Sequence, residues 1–220
     1  MKLQYLGDSK DSFKWDYHDY LANFLKFSSL KIVFMMTPPD KTGNGKTLPS
    51  LFRAREGVME FCNELRCHRD PQTVKLLPEN TCSDNSIVLH EPIDLRKDNR
   101  ASYFSGISSE SRQLVFIDPD NGFEPEKSFS EKHIRYAEIR DILRQLSEES
   151  VISIFQHFRY ITYTKDFSRI KERLGNFNAT AVYWYSVMFV AVSKSKESIS
   201  RVIDANRNYA ERYPFLKVIP

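Results

Sequence analysis

The run LVFID, residues 114–118, ends on a carboxylate and passes directly into Pro119, Asp120, Asn121 and Gly122. An acid at the end of a buried strand can accept hydrogen bonds from an amine or help to bind a cation. Asp-Pro-Asp-Asn-Gly is also a good turn sequence in its own right, but a turn does not require Asp at the strand end. A second group lies upstream, where Asp11, Lys14 and His18 recur at helical spacing along one edge of an apolar stripe. If half-buried together, such groups shift one another's pKa values and bind a polar ligand. If solvated, Asp11 and Lys14 form an ordinary i,i+3 ion pair of little consequence. Two further places offer polar groups: Glu91 directly beyond the run SIVLH, and Gln156 with His157 directly beyond VISIF.

The elements that must position these residues follow from apolar spacing. Phe13, Tyr17, Tyr20, Leu21 and Phe24 mark a helix over residues 9–27. KIVFMMT (31–37) reads as a strand closed by Pro38 and Pro39. The glycine-containing loop TGNGKT leads into a second helix carrying Leu51, Ala54, Val58, Phe61, Cys62 and Leu65 on one face. SIVLH, LVFID and VISIF are further strands, and a helix around Ile139, Ile142, Leu143 and Leu146 separates the last two. A short helix around Ile170 and Leu174 precedes the runs TAVYWY and VMFVAV, which are too close for a crossover and so form an antiparallel hairpin. A helix with Ile199, Val202, Ile203 and Ala210 follows, and residues 92–113 read as loop with one short helix. Continuous apolar strands between amphipathic helices predict an α/β fold: a doubly wound, mostly parallel sheet covered on both faces, in one domain over residues 1–220. In such sheets ligands bind beyond the carboxyl ends of the strands. Asp118, Glu91, Gln156, His157 and the glycine loop should therefore converge on one edge.

Composition excludes little. The 220 residues carry 32 basic and 29 acidic side chains, a net charge of +3, so any basic surface must be local. Cys62, Cys67 and Cys82 are odd in number and include no CxxC pair, which favours a reducing compartment and argues against zinc. Residues 1–8 contain no apolar signal segment and the longest apolar run is too short to span a bilayer. These features lead to the expectation of a cytoplasmic protein that does not engage membranes.

GDSKDSFKW (7–15) resembles the GNxADxxKH opening of the RlmJ-type rRNA adenine-N6 methyltransferases, with Gly7, Asp11 and Lys14 in register and Asp8 in place of Asn. The VFMMT strand with Gly43-Asn44-Gly45 resembles that family's strand and glycine turn, although the loop is longer and Met36 replaces an acidic residue. FIDPDNGFE resembles the family's IDPPYE, with Asp120 and Asn121 replacing the second proline and the aromatic. The resemblance covers most of the chain in motif order and three short motifs in residues. GDxxDxxK and DPDNG also resemble a set of uncharacterised bacterial proteins. The resemblance implies a Rossmann-like methyltransferase fold binding S-adenosylmethionine and acting on a base amino group of RNA or DNA. It assigns Asp118, Pro119, Lys14 and Asp11 to catalysis. Thr37, Gly43, Gly45 and Glu91 would hold the cofactor, with Glu91 on the ribose, and Asp120, Asn121, Gln156 and His157 would face the substrate. Two rival chemistries remain on the residues alone. Gly45, Lys46 and Thr47 match the end of GxxxxGKT, although Asp40 stands at its first glycine, and would bind nucleotide phosphates. Asp118, Asp120 and Glu124 could bind Mg²⁺ in a nuclease-type relative.

Overall fold

The computed structural model describes residues 1–38, 47–109, 111–127 and 129–220. Its centre is a seven-stranded sheet in the order β2-β1-β3-β6-β8-β7-β9. Here β1 is Leu30–Phe34, β2 Ile87–Leu89, β3 Leu114–Asp118, β6 Val151–His157, β7 Asn178–Trp184, β8 Val187–Ser193 and β9 Lys217–Ile219. The strands β2, β1, β3 and β6 run parallel to one another, and the expected hairpin of β7 and β8 is antiparallel. It docks through β8 beside β6, so β8 and β9 oppose the other five strands. As expected, LVFID and VISIF are adjacent central strands, with Val115 opposite Ile152.

Alternation along each strand divides the core in two. Leu30, Ile32, Phe34 and Phe116 face helices α1 (Ser9–Leu25), α2 (Glu56–His68) and α7 (Lys196–Arg212). Val33, Val115, Ile117 and Ile152 face α4 (Arg100–Ser105), α5 (Tyr136–Gln145) and α6 (Tyr163–Leu174). Helix α1 is buried on nearly every side because the sheet, α2 and α7 all pack on it. Its polar residues therefore find partners inside. Asp16 accepts from Arg55 at 2.6 Å, Tyr209 at 2.5 Å and Tyr213 at 2.9 Å, and Tyr17 donates to Asn206 at 2.8 Å. Among the described residues no helix is long and apolar enough to cross a membrane.

Several local expectations need correction. The second helix begins at Glu56, because Pro49 starts a 3-10 turn, Pro49–Leu51, that leaves Leu51 exposed. Phe24 is exposed in the last turn of α1 rather than on its buried stripe. Helix α6 runs to 12 residues rather than a short turn. A helix α3, Leu77–Thr81, and the strand β9 carried no clear apolar period and were not expected. Two further strands, β4 (Gly122–Phe123) and β5 (His133–Ile134), pair in parallel and brace the turn after Asp118.

Candidate functional site

Helix α1 begins at Asp8, whose carboxylate caps it by accepting from the Lys10 and Asp11 amides at 2.9 and 3.2 Å. Gly7 enters this cap at φ +76°, and a Cβ there would lie 2.3 Å from the Cys62 carbonyl of α2. The close approach fixes the start of α1 over the carboxyl edge of the sheet. From there Lys14 donates to Asp11 Oδ1 at 2.6 Å and to Asp118 Oδ2 at 2.8 Å. The second oxygen of Asp11 accepts from the Gly7 amide at 2.8 Å. Asp11, Lys14 and Asp118 are all buried, so the solvated ion-pair reading does not hold. Burial alone would lower the Lys14 pKa, but the carboxylates of Asp11 and Asp118 hold it above the ordinary lysine value. Burial raises the Asp118 carboxyl against the opposing pull of Lys14. His18, expected beside them, instead meets Ser153 at 2.8 Å and the Lys14 carbonyl at 2.7 Å within the core, and burial pushes its pKa down to about 3. It is a neutral packing residue.

Asp11, Lys14 and Asp118 form one wall of a cavity of about 420 Å³ that also includes Asp8, Lys10, Pro119, Asp120, Asn121, Lys132, Phe155 and His157. Lys10 lies 3.1 Å from His157 Nε2, and the other ring nitrogen is 3.1 Å from the Phe158 carbonyl, which fixes a neutral ring accepting from the ammonium. Burial lowers both the Lys10 and His157 pKa values. Burial and the nearby Asp11 push the Asp8 carboxyl up to about 6. Asp120 goes the other way. Its burial is outweighed by the Met1 ammonium at 3.4 Å, the Thr37 hydroxyl at 2.8 Å and Lys2 at 3.6 Å, so its pKa falls. Thr37 thereby ties the end of β1 to the turn after β3. It also lines a second cavity of about 360 Å³ with Pro38 and Leu95, and Lys2 and Lys132 border both cavities.

Not every expected residue joins this site. Gly43 and Gly45, with Asp40, Asn44 and Lys46, lie outside the described residues. Glu91 is exposed and lines neither cavity. The register explains its place. Strand β2 ends with Leu89 opposite Ile32, so two residues on Glu91 reaches the level of Phe34 and Asp118, but on the outer side of β1 from Asp118. Gln156 is buried behind the wall, where its carbonyl accepts from the Phe123 amide at 2.9 Å and its amide donates to Asp166 at 2.9 Å. It holds the turn rather than meeting a ligand. Glu124, the third carboxylate of the Mg²⁺ reading, accepts from the Tyr136 amide at the start of α5 at 3.0 Å and faces Arg173. Among the described residues no group of His, Cys, Asp and Glu is arranged to hold a metal ion.

Lys10, Lys132, Phe155 and Asp8 were not singled out as ligand-facing residues. Lys10 had a signal, since it lies one helical turn before Lys14. Lys132 had none, because it is carried in by the two-residue pairing of β4 with β5. The assembled site offers carboxylates and ammonium groups in a partly desolvated space, suited to a ligand carrying both charges. No protein-family model matches the chain, and no curated protein matches it.

Proposed function

We propose that the protein is an S-adenosylmethionine-dependent methyltransferase, built on a Rossmann-like sheet, that modifies an amino group of a nucleic-acid base. The observation that carries this reading is the position of Asp118. The chain leaves β1 for β2 on one side and returns to β3 on the other, so β1 and β3 flank a topological switch point, where open α/β sheets bind ligands. Asp118 and Pro119 close β3 at that point, and Thr37 follows β1 across from them.

The donor is a zwitterionic amino acid joined to a nucleoside, and the two cavities bordered by Lys2 and Lys132 fit that division. The space beyond β1 and β2, with Thr37, Pro38 and Leu95, suits the nucleoside. Lys10 and Lys132 suit the carboxylate, and Asp8 and Asp120 the ammonium. When bound, the donor supplies a methyl group made electrophilic by a positively charged sulfur. Lys14 fixes Asp118 through one oxygen, and among the described residues the other makes no hydrogen bond. That oxygen accepts from the substrate N–H and keeps the nitrogen electron-rich. Asn121 cannot stack on the target base as an aromatic would at its position.

Isothermal calorimetry tests the reading. The protein should bind S-adenosylmethionine and show no binding of ATP with Mg²⁺. Glu91→Ala should bind the donor within about twofold of the parent, since an exposed carboxylate outside the cavities adds little. Binding of ATP with Mg²⁺ and not of the methyl donor would overturn the assignment.

A further inference from the structure

Among the described residues, five non-glycine residues have positive φ, namely Lys26, Arg69, Cys82, Tyr160 and Tyr185. The first three are left-handed caps that end α1, α2 and α3. The two tyrosines end no helix. Tyr160, at φ +61°, lies in the loop between β6 and α6, three residues beyond the cavity residue His157. Tyr185, at φ +49°, opens the two-residue turn between β7 and β8, where glycine or asparagine would be at ease. Bulky side chains seldom occupy this region, and strain of this kind tends to collect at functional sites. Neither ring supplies core packing in return, since Tyr160 is 93% exposed and Tyr185 79%.

The two loops are held together. The Phe158 amide donates to the Ser186 carbonyl at 3.0 Å, and the Tyr163 hydroxyl donates to the Tyr185 carbonyl at 3.3 Å. Each exposed ring is backed by a more buried one: Tyr160 has Phe158 at 5.6 Å, and Tyr185 has Trp184 at 5.9 Å. Phe158 and Trp184 in turn rest on Tyr163 and Phe52. Positive charge lies alongside. Lys165 is exposed in the first turn of α6, whereas the half-buried Lys10 and Lys132 line the adjacent cavity and serve the donor there. Asp166, next in that turn, is buried and occupied by Arg169 and Gln156.

We propose that these loops form a stacking platform for a single strand of nucleic acid, with Tyr160 and Tyr185 each taking the face of an unpaired base beside the cavity. The proposal rests on the reading of the site as one that modifies a base, and it names the substrate as unpaired. Exposed rings beside an exposed ammonium group suit such a strand, because every base has a π-face and every linkage a phosphate. The platform also supplies stacking that Asn121 cannot.

Fluorescence anisotropy with a labelled single-stranded oligonucleotide, and with the duplex of the same sequence, tests the proposal, and calorimetry follows donor binding separately. The parent should bind the single strand more tightly than the duplex. Tyr160→Ala and Tyr185→Ala should each weaken single-strand binding about tenfold, while Tyr160→Phe keeps it. All three should bind S-adenosylmethionine like the parent, because both side chains lie on the surface. Single-strand binding that depends on the tyrosines, in a protein that does not bind the donor, would sustain the platform and refute the methyltransferase reading. Donor binding with alanine variants that hold the strand like the parent would do the reverse. A change of oligomeric state in Tyr185→Ala, with no oligonucleotide bound by the parent, would assign the rings to contact between copies and overturn the proposal.

Discussion

Replacing Lys14 with Met keeps most of the side chain's length and removes its charge. Asp11 and Asp118, 1% and 2% exposed, are then left with no ammonium between them. Removing one partner of a buried ion pair costs about 3–5 kcal/mol, mainly through the uncompensated charge that remains. Here one carboxylate can relieve the strain by taking a proton, and Asp118, already raised by burial, is the one to do so. The loss should therefore be largest at neutral pH and shrink on acidification by up to roughly 1.4 kcal/mol per pH unit. Asp118→Asn in the Lys14→Met background should recover more than about 1 kcal/mol at neutral pH, because it removes the same charge without a proton. Urea denaturation of the parent, both single variants and the double variant, near pH 7 and again near pH 5, gives all the terms. A Lys14→Met variant within about 1 kcal/mol of the parent at neutral pH, or single effects that simply add, would mean that the ammonium is not the shared partner of both acids.

Asp8→Asn should change how stability depends on pH. Folding raises the Asp8 carboxyl from 3.8 to about 6, so this group favours the fold at low pH and that contribution is lost as pH rises through about 6. Asn still caps α1, so relative to the parent the variant should gain on the order of 3 kcal/mol between about pH 3.5 and pH 7; parallel denaturation profiles would refute the assignment. Gly122 sits at φ +93°, and a Cβ there would come within 2.1 Å of Gln156 Oε1 and 3.0 Å of its Cα. Gly122→Ala should therefore cost about 2 kcal/mol or more, measured by urea denaturation, and parity with the parent would show that the turn is not held by Gln156.

The fold was legible wherever burial imposes a pattern. LVFID and VISIF are buried on both faces, and their unbroken apolar runs announce central strands. The spacing of TAVYWY and VMFVAV permits only a hairpin. Asp118 was legible for the same reason, since a charge at the end of a buried run has few ordinary explanations. Glu91 reaches the level of the site but is exposed on the edge-strand side of β1, outside both cavities, a lateral placement that no local signal reports. Gln156 was placed in the site by its position beyond an apolar run, but its side chain turns back to the Phe123 amide. The wall formed by Lys132 depends on a two-residue strand pairing, too short to leave a period. Strand β9 is likewise three residues with one exposed, below any pattern that alternation can show.

The enclosure of α1 sets an order of events during synthesis. Asp16 and Tyr209, which share a hydrogen bond, are separated by 193 residues. At about 5–20 residues per second the ribosome needs roughly 10–40 s to travel between them. For most of that interval the first helix is outside the ribosome while the helix that seals it has not yet been made. Lys14 therefore waits in water for Asp118, and the emerging chain displays Trp15 and Tyr17 without their cover. The site cannot close before Asp118, 104 residues after Lys14, has been made, and until α7 follows the nascent chain presents the kind of apolar helix that chaperones hold.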